Sequence, residues 1–353
     1  MGDESLETLK GFSRTFVVHS NENPYAAAAA MAQMLARSRE AGSYFRPSDA
    51  FVPSNLVCSS EEINNDSSPD QVDADFNGDW TAYLRITGLP ACGLNYKDSR
   101  SPEQNTMRFL NAYCRRIPAM KARDVYESRE LSIPSIYRPE FEYIVALLRD
   151  GGDLKPYLSR DILKRKRADR NDGLLNSWGI QHLHFRPDGT DHLLFCIISE
   201  VDVFLIQVLP HNQDHLWVNT QLLQIVHDNW PSRIARARLN GSRPEEMSAT
   251  RRASLRGYNA NFLVTVSDGT VYLPVAGGTM ASGESQEDRV NCDKIFRELE
   301  HWRIIISQHA AAIRKALDMP PSKKLVVRMA FENQTCCFYE ATSGTRLGVL
   351  ASD

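Results

Sequence analysis

The histidines of this chain have a spacing suited to acid–base chemistry, because six of the nine lie within residues 182–227. His182, His184 and Arg186 alternate with apolar residues, as side chains do when they share one face of a β-strand. His211 follows a long apolar run, at the point where a neighbouring strand would end. Imidazoles titrate near neutral pH and arginine binds phosphate through two bonds. The pattern therefore predicts that His182, His184, Arg186 and His211 form a catalytic site for RNA cleavage.

The expected chemistry uses the 2′-hydroxyl of RNA as the nucleophile, so it requires no metal ion and no other cofactor. One histidine would remove the 2′-hydroxyl proton, and another would protonate the leaving 5′-oxygen. The arginine would stabilise the negative charge that develops on the phosphate oxygens. RNA is therefore the partner that these residue types predict.

The same histidines allow two other interpretations. His182 and His184 have the spacing of a strand-borne pair of metal ligands, so the protein could be a histidine-ligated enzyme of zinc, manganese or iron. His192, His211 or His215 would then complete the site together with Asp214. Alternatively, the histidines are structural residues on the flank of a sheet, in a non-catalytic interaction protein of a bacterial defence or phage system. We expect His227, which has helical spacing, to pack or cap.

A basic run precedes the first histidine strand and consists of Lys164, Arg165, Lys166 and Arg167. We expect a short helix here, with Ser159 as its N-cap. Such a helix could hold an RNA backbone, because each phosphate contact releases a bound counterion. The charge distribution agrees with this, since residues 155–256 contain fifteen Lys and Arg against eleven Asp and Glu in a chain of net charge −3. The plainer interpretation is a solvated helix face.

The composition is that of an ordinary globular protein, with 42% hydrophobic and 24% charged residues among 353. No apolar run approaches the roughly 20 residues of a membrane-spanning helix. The seven cysteines are an odd number without a Cys-x-x-Cys pair, which favours a reducing compartment over a disulfide framework. The acidic N-terminus does not resemble a secretory signal. We therefore expect a cytoplasmic protein that does not enter a membrane.

The histidines require strands to position them, and the patterns along the whole chain predict an α+β fold with antiparallel sheets and hairpins, flanked by helices. Capping patterns predict helices that open at Ser101 and at Pro139. Further expected elements are a strand over 80–87, a helix over 222–230, a hairpin turning at 267–270, a long helix over 286–317 and closing strands over 324–350. The glycines after residue 150 predict a boundary between two domains. Residues 1–150 would regulate or bind a partner, and residues 151–353 would form the histidine-rich domain.

Part of the chain resembles a set of uncharacterised bacterial proteins. Residues 174–184 read LLNSWGIQHLH and are similar to an LLNDWGIHHLHL motif, with Ser177 and Gln181 in place of Asp and His. The likeness covers about eighty residues and includes LLF at 193–195 and NWP at 229–231. It implies no particular activity.

A fainter likeness is to the RelE/HigB-like messenger-RNA-cleaving toxins, which also have a basic strand, an LLF-like strand and an apolar strand that ends in a basic residue. Those toxins are far smaller than this chain. The resemblance implies a ribonuclease of toxin or phage-defence type, with an antitoxin or another protein as its partner.

Overall fold

The computed structural model describes residues 72–159, 172–241, 246–332 and 335–349. They divide into two compact units, one made of the residues up to Gly88 together with those from Lys294 onward, and one made of Leu89–Asp293. The boundary expected near residue 150 falls inside the second unit. The predicted basic run at 164–167 lies outside the described residues.

Helices and strands are mixed along the chain, and the α+β class expected from the sequence is confirmed. The α-helices are α1 (Phe76–Tyr83), α2 (Leu89–Ala91), α3 (Pro102–Phe109), α4 (Arg138–Asp150), α5 (Gly173–Trp178), α6 (Gln221–Asn229), α7 (Pro231–Ile234), α8 (Ala249–Gly257), α9 (Gln286–Gln308) and α10 (Ala310–Ala316). The strands are β1 (Val72–Asp73), β2 (Asp124–Glu127), β3 (Gln181–His184), β4 (His192–Ile198), β5 (Asp202–Pro210), β6 (Arg238–Leu239), β7 (Val264–Thr265), β8 (Val271–Tyr272), β9 (Leu325–Glu332), β10 (Thr335–Glu340) and β11 (Thr345–Val349). Among the described helices, none is both long and apolar enough to cross a membrane.

The first unit contains a sheet in the order β1–β9–β10–β11, in which β1 runs parallel to β9 and the other neighbours are antiparallel. The strand expected over residues 80–87 is wrong, because α1 and a following π-helix at Leu84–Gly88 occupy this stretch. Phe76, Trp80 and Leu84 are buried at helical spacing, and Trp80 packs on Phe331 of β9. Burial of that stripe outweighs the preference for a strand of the aromatic and β-branched residues elsewhere in the stretch, such as Tyr83 and Ile86.

The second unit is built on a sheet in the order β2–β5–β4–β3, with β2 parallel to β5 and the other pairs antiparallel. Helix α4 covers one face, where its Ile144 and Leu148 pack with Leu183 and Leu194 of the strands. Helices α5, α6 and α7 cover the other face, together with the β7–β8 hairpin. Alternation along β3 places His182 and His184 on this second face.

Local sequence signals account for several element ends. Ser101 accepts a hydrogen bond from the Gln104 N–H, and the Gln104 side chain accepts one from the Ser101 N–H, which completes the expected capping box of α3. Gly151 ends α4 with a φ of 75°, a left-handed conformation that glycine adopts without strain. The predicted helix over 286–317 is present as α9 and α10, with a break at His309.

Candidate histidine site

Three of the predicted catalytic residues, His182, His184 and His211, lie close together near the β3 edge of the β2–β5–β4–β3 sheet. The ring centroids of His182 and His184 are 6.2 Å apart, and those of His184 and His211 are 6.0 Å apart. His211 follows β5, and its backbone N–H donates to the Asp191 carbonyl at 2.7 Å, which holds it beside the start of β4. We call His182, His184, His211 and Trp217 the histidine cluster.

Trp217 completes the cluster from a 3-10 helix at Leu216–Val218. Its ring centroid lies 5.0 Å from that of His182 and 6.1 Å from that of His211. Leu216 and Val218 are buried on either side of it, whereas Trp217 itself is 39% exposed. An aromatic ring therefore borders the histidines at a position open to solvent.

The hydrogen bond of His184 fixes its tautomer. The backbone N–H of Thr190 donates to Nδ1 of His184 at 3.0 Å, so this nitrogen carries no proton. The neutral ring must then carry its proton on Nε2, and that edge is a donor. Thr190 also donates its hydroxyl to the His192 carbonyl at 2.6 Å, and this contact keeps the turn after β3 in place.

The environment of His182 disfavours its protonated form. Burial lowers its pKa, the carboxylate of Asp172 opposes this effect, and the neighbouring His211 and Arg116 lower the pKa further. Nδ1 of His182 is buried and has no hydrogen-bond partner among the described residues. The lowered pKa favours the neutral form of the His182 ring.

Arg186 lies outside the histidine cluster. Strand β3 ends at His184, so the alternation that would place Arg186 on the histidine face does not continue that far. Its guanidinium donates from Nε to Oε1 of Glu140 on α4 at 2.8 Å, and it lies over the Tyr137 ring. The expected shared face is therefore limited to His182 and His184.

The structure adds two charged residues that the spacing of the histidines did not indicate. Arg116 ends the π-helix that follows α3, and Asp172 is the N-cap of α5. Both line one small recess together with His182. Nothing in the sequence around Arg116 connects it with the histidines, because packing alone brings them together. Trp217, in contrast, follows His215 by two residues and could have been found from that neighbourhood.

The described residues do not assemble the predicted metal ligands. Among them, no group of three His, Cys, Asp or Glu side chains is placed to hold a metal ion. His192 lies against Tyr137 on the α4 face of the sheet, with ring centroids 5.6 Å apart. Asp214 and His215 are exposed in the loop after β5. His192, Asp214 and His215 therefore add no further metal ligand to the His182–His184 pair of β3.

His227 has the packing role that its helical spacing predicts. Its Nδ1 lies 2.9 Å from the Tyr272 hydroxyl, and its Nε2 lies 3.3 Å from Oδ2 of Asp268. These contacts fasten α6 to the β7–β8 hairpin, whose turn lies at the expected position.

Comparisons with known proteins give no match among protein-family models, curated proteins or solved structures. The functional argument therefore depends on the geometry of the histidine cluster.

Proposed function

We propose that the histidine cluster is the active site of a metal-independent endoribonuclease, acting in the bacterial cytoplasm as a toxin or phage-defence protein. The observation that carries this proposal is the contact of three imidazole rings at centroid distances near 6 Å. A general acid and a general base each reach about 3 Å to the atoms that they serve. Both distances involve His184, so a phosphodiester that lies across His184 would have His182 on one side and His211 on the other.

The roles follow from the environments of the rings. His182 is neutral because its pKa is lowered, so it serves as the general base that removes the 2′-hydroxyl proton. His211 is exposed and can carry the proton that the leaving 5′-oxygen takes up. His184 lies between the other two rings, and its assigned role is to donate from Nε2 to a phosphate oxygen, since Nδ1 accepts from Thr190.

Arg116 takes the role that the sequence suggested for Arg186. Its positive charge acts on His182, since it contributes to the lowered pKa of that residue. A fixed cation beside the reacting group stabilises the charge that builds on the phosphate oxygens. Arg186 is paired with Glu140, so its guanidinium is already engaged on the other side of the sheet.

Cleavage of end-labelled single-stranded RNA by the purified protein, with and without EDTA, tests the proposal. We expect EDTA-resistant cleavage that falls about 100-fold or more in His211→Ala and in His182→Gln. His215→Ala is the matched control, because His215 is an exposed histidine in the same loop as His211 but has no role in the cluster. Cleavage that EDTA abolishes, or that is equal in His211→Ala and His215→Ala, would refute the proposal. The absence of cleavage by folded wild-type protein would favour a binding protein.

A further inference from the structure

We infer that Trp217 and helix α8 form a subsite for an unpaired nucleotide, with the base stacked on Trp217 and its phosphates beside the arginines of α8. The substrate class is then single-stranded RNA. The link to cleavage rests on the proposed function, whereas binding at the subsite can be measured without any cleavage.

The backbone on both sides of Trp217 is anchored, although the Trp217 side chain is exposed. Its neighbours Leu216 and Val218 are 1% and 2% exposed and belong to the core beneath the sheet. Two arginines of α8 bind the backbone of the same segment, since Arg252 donates to the Val218 carbonyl and Arg256 to the Trp217 carbonyl. A ring fixed in this way loses little conformational entropy when a ligand stacks on it.

The indole of Trp217 is only partly covered by the protein. His182 and Phe195 lie on its inner side, with centroids at 5.0 and 6.3 Å. His211, which is also exposed, has its ring centroid 6.1 Å from that of Trp217. A base stacked on this ring would bring its own phosphodiester to the histidines.

Helix α8 supplies positive charge at the same place. It carries Arg251, Arg252 and Arg256 within nine residues and contains no acidic residue. The guanidinium of Arg256 lies over the rings of Trp178 and Phe262, and burial lowers its pKa to about 10, so it remains charged at neutral pH. Its Nε and Nη2 atoms are buried, so Arg256 positions the Trp217 segment and contributes charge, whereas the exposed Arg251 is the α8 arginine placed at the surface.

An exposed aromatic ring beside clustered arginines is the combination that binds single-stranded nucleic acid. The ring stacks on a base and the arginines attract the backbone, so binding depends on salt and tolerates many sequences. A base inside a duplex is already stacked on both faces and cannot lie on Trp217. The arrangement therefore favours an unpaired strand over a duplex.

The test measures fluorescence anisotropy of a labelled 2′-deoxy oligonucleotide, which lacks the nucleophile and so cannot be cleaved. Trp217→Ala should weaken its binding about 5- to 150-fold, and Trp217→Phe, which keeps a stacking ring, should retain most of the affinity. Tyr126→Ala is the matched control, because Tyr126 is an aromatic residue of similar exposure on β2, at the opposite edge of the sheet. The duplex of the same sequence should bind wild-type protein more weakly than the single strand, and Trp217→Ala should reduce this difference.

The outcomes separate this inference from the proposed function. Equal binding by Trp217→Ala and wild type overturns the subsite, even if cleavage depends on the histidines. Binding that Trp217→Ala loses, in a protein that cleaves no RNA, supports the subsite and refutes the ribonuclease. Equal affinity for single strand and duplex, or no binding by wild type, also overturns the inference.

Discussion

Two substitutions of His184 separate its structural bond from its chemical role. In an asparagine the side-chain oxygen lies near the position of Nδ1, whereas in a glutamine the side-chain amide reaches towards the position of Nε2. His184→Asn can therefore keep an acceptor for the Thr190 N–H and loses the donor that would face the phosphate. His184→Gln has the opposite effect. The pair tests the tautomer and the catalytic role in one experiment.

The magnitudes follow from the environment of the Thr190 N–H, which is part-buried and donates at 3.0 Å. Leaving a buried donor without an acceptor costs about 1–3 kcal/mol, and partial access to water places this one towards the lower end. We expect His184→Gln to lose about 1 kcal/mol of unfolding free energy relative to His184→Asn. Loss of a positioned acid–base or donor group reduces the rate of cleavage by about 100-fold or more. We expect that reduction in His184→Asn, and a smaller one in His184→Gln.

Urea unfolding of both variants and initial rates of cleavage of end-labelled RNA check these values. Stability should be lower in the glutamine variant, and activity should be lower in the asparagine variant. The opposite order of stability would refute the assignment of Nδ1 as the acceptor. Equal activity of both variants and the wild type would refute a role of His184 in the chemistry.

Three further predictions concern charge. The rate of cleavage should rise with pH as His182 loses its proton, and this rise should occur below the ordinary imidazole pKa. Asp172→Asn removes the carboxylate that raises the pKa of His182 but keeps an N-cap side chain, so the rising limb of kcat/KM should move to lower pH. A shift to higher pH would contradict the role of His182 as the base. Burial raises the pKa of Asp79 to about 6, so its ionisation reduces the free energy of unfolding as the pH rises from about 4 to 6. The shift sets an upper bound of about 3 kcal/mol, and solvent screening reduces the expected loss to about 1 kcal/mol. In urea unfolding, Asp79→Asn should regain this amount at pH 8 but not at pH 4, and equal gains at both pH values would contradict this account. Arg186→Ala should leave the rate of RNA cleavage unchanged, because Arg186 binds Glu140. A large loss of cleavage rate in the same assay would show that Arg186 takes part in the chemistry.

Local patterns of residues were sufficient to predict many elements of this fold. Ser101 and Gly151 mark the expected ends of α3 and α4, and the turn at 267–270 joins β7 and β8. These features depend on hydrogen bonds and backbone angles within a few residues, so the sequence alone contains the information. The strand expected over 80–87 was wrong, because Phe76, Trp80 and Leu84 form a buried helical stripe, with Trp80 against Phe331 of β9.

The domain boundary expected near residue 150 stays a prediction, although it falls inside the second compact unit. The glycines that suggested it end α4, and the capping geometry accounts for them without a linker. A glycine that stops a helix looks the same in the sequence whether a linker or another packed element follows it.

The sequence by itself determined which residues could perform acid–base chemistry and that His182 and His184 share a face, since side chains alternate along a strand whatever surrounds it. Only the tertiary structure decided that β3 ends at His184, so that the Arg186 side chain donates to Glu140 on α4. It also brought Arg116 and Trp217 to the histidines. The packing of helices on the sheet sets such contacts between residues distant in the chain, and no local period in the sequence records them.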